Sequence, residues 1–102
     1  MNEWIVKEHP EFFKDLDKLG TKELENFYKK KKKIKENPAR LKHLAGGENC
    51  YAEEITDNIR LVYYLKGNII WLLAIDRHDH AYANFRKRLY TLKSKYLYQG
   101  AE

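Results

Sequence analysis

The stretch IIWLLAIDRHDHAYANFRKRL, residues 69–89, decides the fold. It opens with an unbroken apolar run rich in β-branched and aromatic side chains, the composition of a buried strand. The run stops at Asp76 and Arg77. Beyond it Tyr82, Phe85, Leu89 and Leu92 recur at helical intervals, so a helix is predicted from about Ala81. Arg77, His78, Asp79, His80 and Tyr82 crowd the junction between strand and helix. In an extended junction, alternation turns His78, His80 and Tyr82 to the same side.

Working outward, IRLVYYL at residues 59–65 is a second strand-like run, and CYAEEI at residues 50–55 alternates more loosely. Asp57-Asn58 and Lys66-Gly67-Asn68 separate these runs and read as hairpin turns. Three strands in an antiparallel meander follow. Near the N-terminus, WIVKEH reads as a short strand. Pro10 suits a helix start, and Phe12, Phe13, Leu16 and Leu19 make an apolar stripe. Gly20 is a natural stop, and Thr21 can cap a second helix with Glu23 in its first turn. That helix carries Leu24, Phe27, Tyr28 and Ile34 toward the core and ends at Asn37-Pro38. The tight connection makes the two helices an antiparallel hairpin. The fold class expected is α+β: an N-terminal strand, an α-helical hairpin, a mainly antiparallel β-meander and a C-terminal helix. All helices are expected on one face of the sheet.

The chain's 102 residues amount to one small domain, residues 1–102, with no repeat or linker. The net charge of +5 favours an acidic partner, whether nucleic acid, an anionic membrane or an acidic protein. One cysteine, Cys50, excludes an internal disulfide and fits a reducing cytoplasm. Cys50 is expected to pack in a strand. The N-terminus lacks a signal-peptide pattern, and no apolar run is long enough to span a bilayer, so a soluble cytoplasmic protein is expected.

Three groups of residues can carry chemistry. The first is the run Lys29, Lys30, Lys31, Lys32 and Lys33, with Lys35 beside it. Such a run is either a solvated helix face or a contact for a phosphate backbone. The second is Arg60. Strand alternation sets it with Val62 and Tyr64, opposite Leu61, Tyr63 and Leu65. There it either pairs with Glu53 or Glu54 or offers a fork of donors to a phosphate. The third is the junction cluster. Two histidines with Asp76 or Asp79 have donor types suited to zinc, but the further ligands of familiar zinc spacings are absent, so no metal or cofactor is expected. Two readings stay open for it: ordinary packing, and phosphoryl chemistry. In the second, histidine moves protons, arginine stabilises charge on phosphorus and tyrosine stacks on a base. RNA suits that set, because its own 2′-OH attacks the adjacent phosphorus. Lys42 and His43 are either exposed loop residues or additions to this cluster. His9 reads as a strand-end residue.

The chain resembles the RelE/ParE superfamily of toxins from toxin–antitoxin pairs. The likeness rests on HPEFFKDLDKL (residues 9–19), NPARLKHLAGG (37–47), CYAEEITDNIRLVYYL (50–65) and IIWLLAIDRHDHAY (69–82), in that order and spacing. It implies a ribosome-dependent endoribonuclease, an mRNA interferase that cuts messenger RNA in the A site without a metal. It also implies a cognate antitoxin partner. Arg60 corresponds to a strand arginine on the scissile phosphate, and Arg77 lies near a second functional arginine. Tyr82 falls at a catalytic or stacking tyrosine. His78 and His80 resemble the proton-transfer histidine of YoeB and YafQ types. Lys42 and the lysine-rich helix would dock on ribosomal RNA. The chain departs from RelE at Ala52 and Glu54, where RelE has lysines, and from YoeB at Ala39, where YoeB has a glutamate base. His43 is the substitute base on this reading. Two alternatives keep the fold: a ParE-like inhibitor of DNA gyrase without nuclease activity, and a catalytically degenerate member.

Overall fold

The computed structural model describes residues 3–39 and 49–97. The elements are β1 (Ile5–Glu8), α1 (Phe12–Asp17), α2 (Thr21–Glu36), β2 (Cys50–Glu54), β3 (Ile59–Lys66), β4 (Ile69–Arg77) and α3 (His78–Leu92). A wider π-type turn, Lys93–Leu97, continues α3. This is the α+β order read from the sequence. The strands lie in the order β1-β4-β3-β2. β2, β3 and β4 form the antiparallel meander, and β1 joins the far edge of β4 in parallel.

Local chemistry explains the turns. Lys66 pairs with Ile69, so Gly67 and Asn68 form a two-residue loop. Gly67 has φ 61°, a conformation open to glycine without steric cost. Between β2 and β3, the Thr56 hydroxyl accepts the N–H groups of Asn58 and Ile59. Gly20 caps α2 rather than merely ending α1. Its N–H donates to Glu23 Oε1 at 2.9 Å, which moves Thr21 into the first turn.

The sheet is covered on both faces. Phe12, Phe27 and Ile34 of the helical hairpin pack with Leu61, Tyr63, Ile70, Leu72 and Ile75. On the other face Ala81, Phe85, Leu89 and Leu92 of α3 pack with Cys50, Val62, Tyr64 and Leu73. The expectation that all helices share one face is therefore overturned. Every residue of β4 from Leu72 to Ile75 is fully buried, because β4 has apolar cover above and below. That two-sided burial accounts for its unbroken apolar run. Phe13 and Tyr28, expected in the core, are more than half exposed. Among the described residues no helix is long and apolar enough to cross a membrane.

A bulge interrupts β4. Val62 pairs with Ala74 but Tyr63 with Leu72, which leaves Leu73 without a partner on β3. On the opposite edge, β1 pairing stops at Leu72, whose carbonyl accepts the His9 N–H. Two side chains fill the notch that results. Asp15 of α1 accepts the Ile75 N–H at 3.0 Å, and Arg88 of α3 donates to the Leu73 carbonyl at 2.8 Å. Asp15 and Arg88 also bind each other through both carboxylate oxygens. Their side chains are 2% and 12% exposed. The pair thus joins the helices on the two faces through the end of the sheet.

His9 lies beside this clamp and is buried. Its Nδ1 accepts the Glu11 N–H, so the ring proton sits on Nε2, which has no partner among the described residues. Burial, reinforced by the Arg88 charge and opposed by Glu11 and Asp15, lowers its pKa from the usual 6.5.

Two outcomes are expected. Asp15→Leu leaves Arg88 charged, buried and unpaired, and should cost about 3–5 kcal/mol in urea denaturation; a loss below about 1 kcal/mol contradicts the clamp. His9 binds a proton more readily in the unfolded chain than in the folded one. Its share of stability is present above pH 6.5 and is lost as pH falls below that value toward the lowered folded pKa. His9→Asn, which keeps an acceptor near Nδ1, should flatten the fall in melting temperature between neutral and mildly acid pH. An unchanged slope would assign that fall to other groups.

Candidate functional site

α3 begins at His78, not at Ala81. The His78 N–H donates to the Asn58 carbonyl, which draws the first turn against the β2–β3 loop. The junction is therefore helical rather than extended, and His78 and His80 do not point the same way. Two residues apart on a helix, they diverge by about 200°.

Two hollows adjoin this turn. An open cleft of about 500 Å³ is lined by Lys18 and Leu19 after α1, Glu23 of α2, and Asp76, Arg77, Asp79 and His80. A second hollow of about 360 Å³ adjoins it, lined by Asp57, Asn58, Arg77, His78 and Asp79. Arg77 and Asp79 border both. His80 faces the first and His78 the second.

Each histidine has a carboxylate neighbour. His80 Nδ1 lies 3.8 Å from Asp76 Oδ2, and Asp76 Oδ1 accepts the Arg77 N–H at 2.7 Å. The Asp76 side chain is largely covered while that of His80 is 66% exposed, so the carboxylate is the fixed member of the pair. His78 Nδ1 lies 3.3 Å from Asp79 Oδ1, and the Tyr82 ring meets the His78 ring edge-on at 4.5 Å. Tyr82 is half-buried and packs against the α3-side core. The positive end of the α3 dipole also points at this rim. The arrangement can hold an anion at Arg77 and move a proton on either side of it.

Arg60 is placed differently. It shares a face with Val62 and Tyr64, as alternation required, and lies opposite Asp76 in register. Arg77 lies opposite Ile59, so the pleat sends the two arginines to opposite faces. Arg60 lines neither hollow. Its Nη1 donates to the carbonyls of Thr56, Asp57 and Ile59, and its Nη2 lies 3.8 Å from Glu54. It holds the loop that forms one wall of the His78 hollow.

The lysine run is divided. Lys30 pairs with Glu53 at 3.6 Å, and Lys31 pairs with Glu8 at 3.7 Å while covering the rings of Phe27 and Tyr28. Lys29, Lys32, Lys33 and Lys35 are exposed. All six lie about 9–18 Å along α2 from Glu23 at the cleft. Lys42 and His43 lie outside the described residues.

Sequence reasoning missed Lys18 and Glu23 as cleft residues and weighed Asp76 and Asp79 only as metal donors, not as carboxylate partners of His80 and His78. The pairing of Asp76 was findable, since Asp-x-x-x-His across a helix start places the two side chains on one side. Lys18 and Glu23 arrive only through the tertiary fold. Among the described residues, no group of three or more His, Cys, Asp or Glu is gathered to hold a metal ion.

No protein-family model matches the sequence, and no curated protein does. The structure is similar to those of solved bacterial toxins. An arginine double mutant of the E. coli toxin RelE in the free state matches with a TM-score of 0.73 at 22% identity, covering 84% of this chain and 97% of that one. A chain of the intact E. coli RelBE toxin–antitoxin complex matches at 0.67 and 23% identity, covering 72% of this chain and 95% of that one. The YoeB dimer from Staphylococcus aureus matches at 0.63 and 21%, covering 74% and 98%. The chain therefore has a RelE-like fold.

The thiol of Cys50 has no part in this site. It is buried, and burial pushes its pKa up to about 11 despite the nearby Lys93. Iodoacetamide at pH 8 should leave native protein unlabelled and alkylate it only in denaturant. Rapid native labelling would show that the strand opens.

Proposed function

We propose that this chain is the toxin of a toxin–antitoxin pair and cuts messenger RNA in the ribosomal A site. The observation that carries this reading is Arg77, at the end of an inner strand of a RelE-like fold, lining two adjoining hollows of which one holds His80 and the other His78. Fold likeness alone would serve a binding protein equally well. The histidine–arginine–histidine arrangement supplies what cleavage of RNA by its own 2′-OH needs.

In this reaction His80, oriented by Asp76, takes the proton of the 2′-OH through Nε2. The 2′-oxygen bonds to the adjacent phosphorus, and the bond from phosphorus to the 5′-oxygen breaks. His78, steadied by Tyr82 and Asp79, gives a proton to the departing 5′-oxygen. Arg77 stabilises the charge that builds on the phosphoryl oxygens. The products are a 2′,3′-cyclic phosphate and a 5′-hydroxyl. No bound metal is required. Arg60 acts here by holding the wall at Asp57 and Asn58. The exposed lysines of α2 would dock on ribosomal RNA, and an acidic antitoxin would complement the net charge.

One observation favours a second reading. Arg60 is engaged with its own loop, so a ParE-like or degenerate member that binds without cutting would use the same rim with no chemistry.

The expected result in a translating extract is a set of new 5′ ends inside A-site codons, unaffected by EDTA. Arg77→Ala should reduce cutting by about 100-fold or more. His80→Ala should do likewise, and Asp76→Asn should lower the rate while leaving the position of the cuts unchanged. Intact message together with blocked DNA supercoiling would select the gyrase reading. Intact message with normal supercoiling would leave the degenerate one.

A further inference from the structure

α3 buries Ala81, Phe85, Leu89 and Leu92 against the sheet, so its opposite face is turned to solvent. At about 100° per residue, Arg86 and Lys87 fall within about 60° of Tyr90 on that outer face. Tyr90 is 74% exposed, more than any other large hydrophobic side chain described. Packing gives no reason for an aromatic there.

The charge of this helix and the turn that continues it has one sign. From His80 to Leu97 the sequence has five Lys and Arg and no Asp or Glu. Arg88 turns inward to Asp15 and Lys93 toward Tyr64, which leaves Arg86, Lys87 and Lys95 for solvent. Among the described residues no carboxylate pairs with Arg86 or Lys87, whereas Lys30 and Lys31 of α2 are both paired. The Arg86 guanidinium lies 5.8 Å from the Phe85 ring centre, its stem lying along apolar surface. The Lys93 ammonium instead turns back toward the sheet, 5.4 Å from the ring centre of Tyr64. The face begins at the turn that bears His78 and His80 and reaches Tyr90 after about 18 Å of helix, room for several nucleotides.

We infer that the outer face of α3 is a contact surface for single-stranded RNA, on which a base stacks against Tyr90 while Arg86 and Lys87 neutralise phosphates. An acidic peptide would satisfy the cations alone; a nucleic-acid strand uses both the cations and the exposed ring. The choice of RNA over DNA rests on the function proposed above, but binding here requires no cutting.

The test is fluorescence anisotropy with a labelled 12-nucleotide RNA carrying 2′-O-methyl groups, which blocks attack by the 2′-oxygen. Binding is measured across a range of salt, without ribosomes, and circular dichroism confirms that each variant folds. Arg86→Gln with Lys87→Gln should weaken binding and reduce the slope of log K against log salt by about 1.4, the share of two phosphates on a single strand. Tyr90→Ala should weaken binding about tenfold with the slope unchanged, and Tyr90→Trp should restore it. The control, Lys14→Gln with Lys22→Gln, removes the same charge from the helical hairpin and should leave the slope near that of the unaltered protein. The inference is overturned if the control lowers the slope equally, if the α3 variants bind like the unaltered protein, or if only a polyglutamate peptide responds to them. The cleavage reading fails by a different sign, the absence of cuts in a translating extract.

Discussion

The Asp15 carboxylate is the contact on which the arrangement of the two faces turns. A bulge at Leu73 and the early end of β1 leave main-chain groups of β4 open on one edge. Asp15 closes one of them from the hairpin side and Arg88 closes another from the α3 side, while each neutralises the other. A buried ion pair adds little net stability relative to well-packed apolar residues, but removing one partner is costly. Its effect here is on geometry. It fixes where α3 lies along the sheet. It also bonds Ile75, two residues before Arg77, so the end of β4 and the start of α3 are held by one anchor.

Most of the topology is legible in the sequence because it is local. The hairpin turns, the alternation in β3 that sends Arg60 to the side of Val62 and Tyr64, and the stop at Asn37 follow from neighbouring residues. The two faces are less visible. The apolar run of β4 is the mark of a strand covered above and below, yet the same run fits a strand covered on one side at the edge of a larger core. The start of α3 is obscured for another reason. Arg77 is not a usual cap residue, and a first turn of His78, Asp79 and His80 has the composition of a loop. The remaining signals are Asp79 in the first turn and the Asn58 carbonyl, which is remote in sequence. The clamp itself joins residues 73 apart and leaves no periodic trace.

The candidate site was legible as a list of residues but not as a shape. Reading His78, His80 and Tyr82 as alternating positions gathered them on one side. The helix instead sends the histidines into two different hollows, both lined by Arg77, and sets Tyr82 against His78. For the cleavage proposed above, separation suits a proton taken at one place and given at another better than gathering does, because an in-line displacement has its nucleophile and leaving group on opposite sides of phosphorus. The cleft on the His80 side is also not a basic groove. Glu23, Asp76 and Asp79 share it with Lys18 and Arg77. Most of the net charge lies elsewhere, along the far half of α2 and the outer face of α3.

These features meet in the phase of one helix. The burial of Ala81, Phe85, Leu89 and Leu92 sets how α3 is rotated, and Arg88 sets it again from the side. Once the phase is fixed, the directions of His78 and His80 are fixed as well, and so is the exposure of Tyr90. The imidazoles are aimed by apolar contacts several turns away, and the strand end that presents Arg77 is aimed by the same ion pair. Rigidity at the site therefore comes from the core and the clamp, which is why its own residues can be polar, exposed and only loosely bonded to one another.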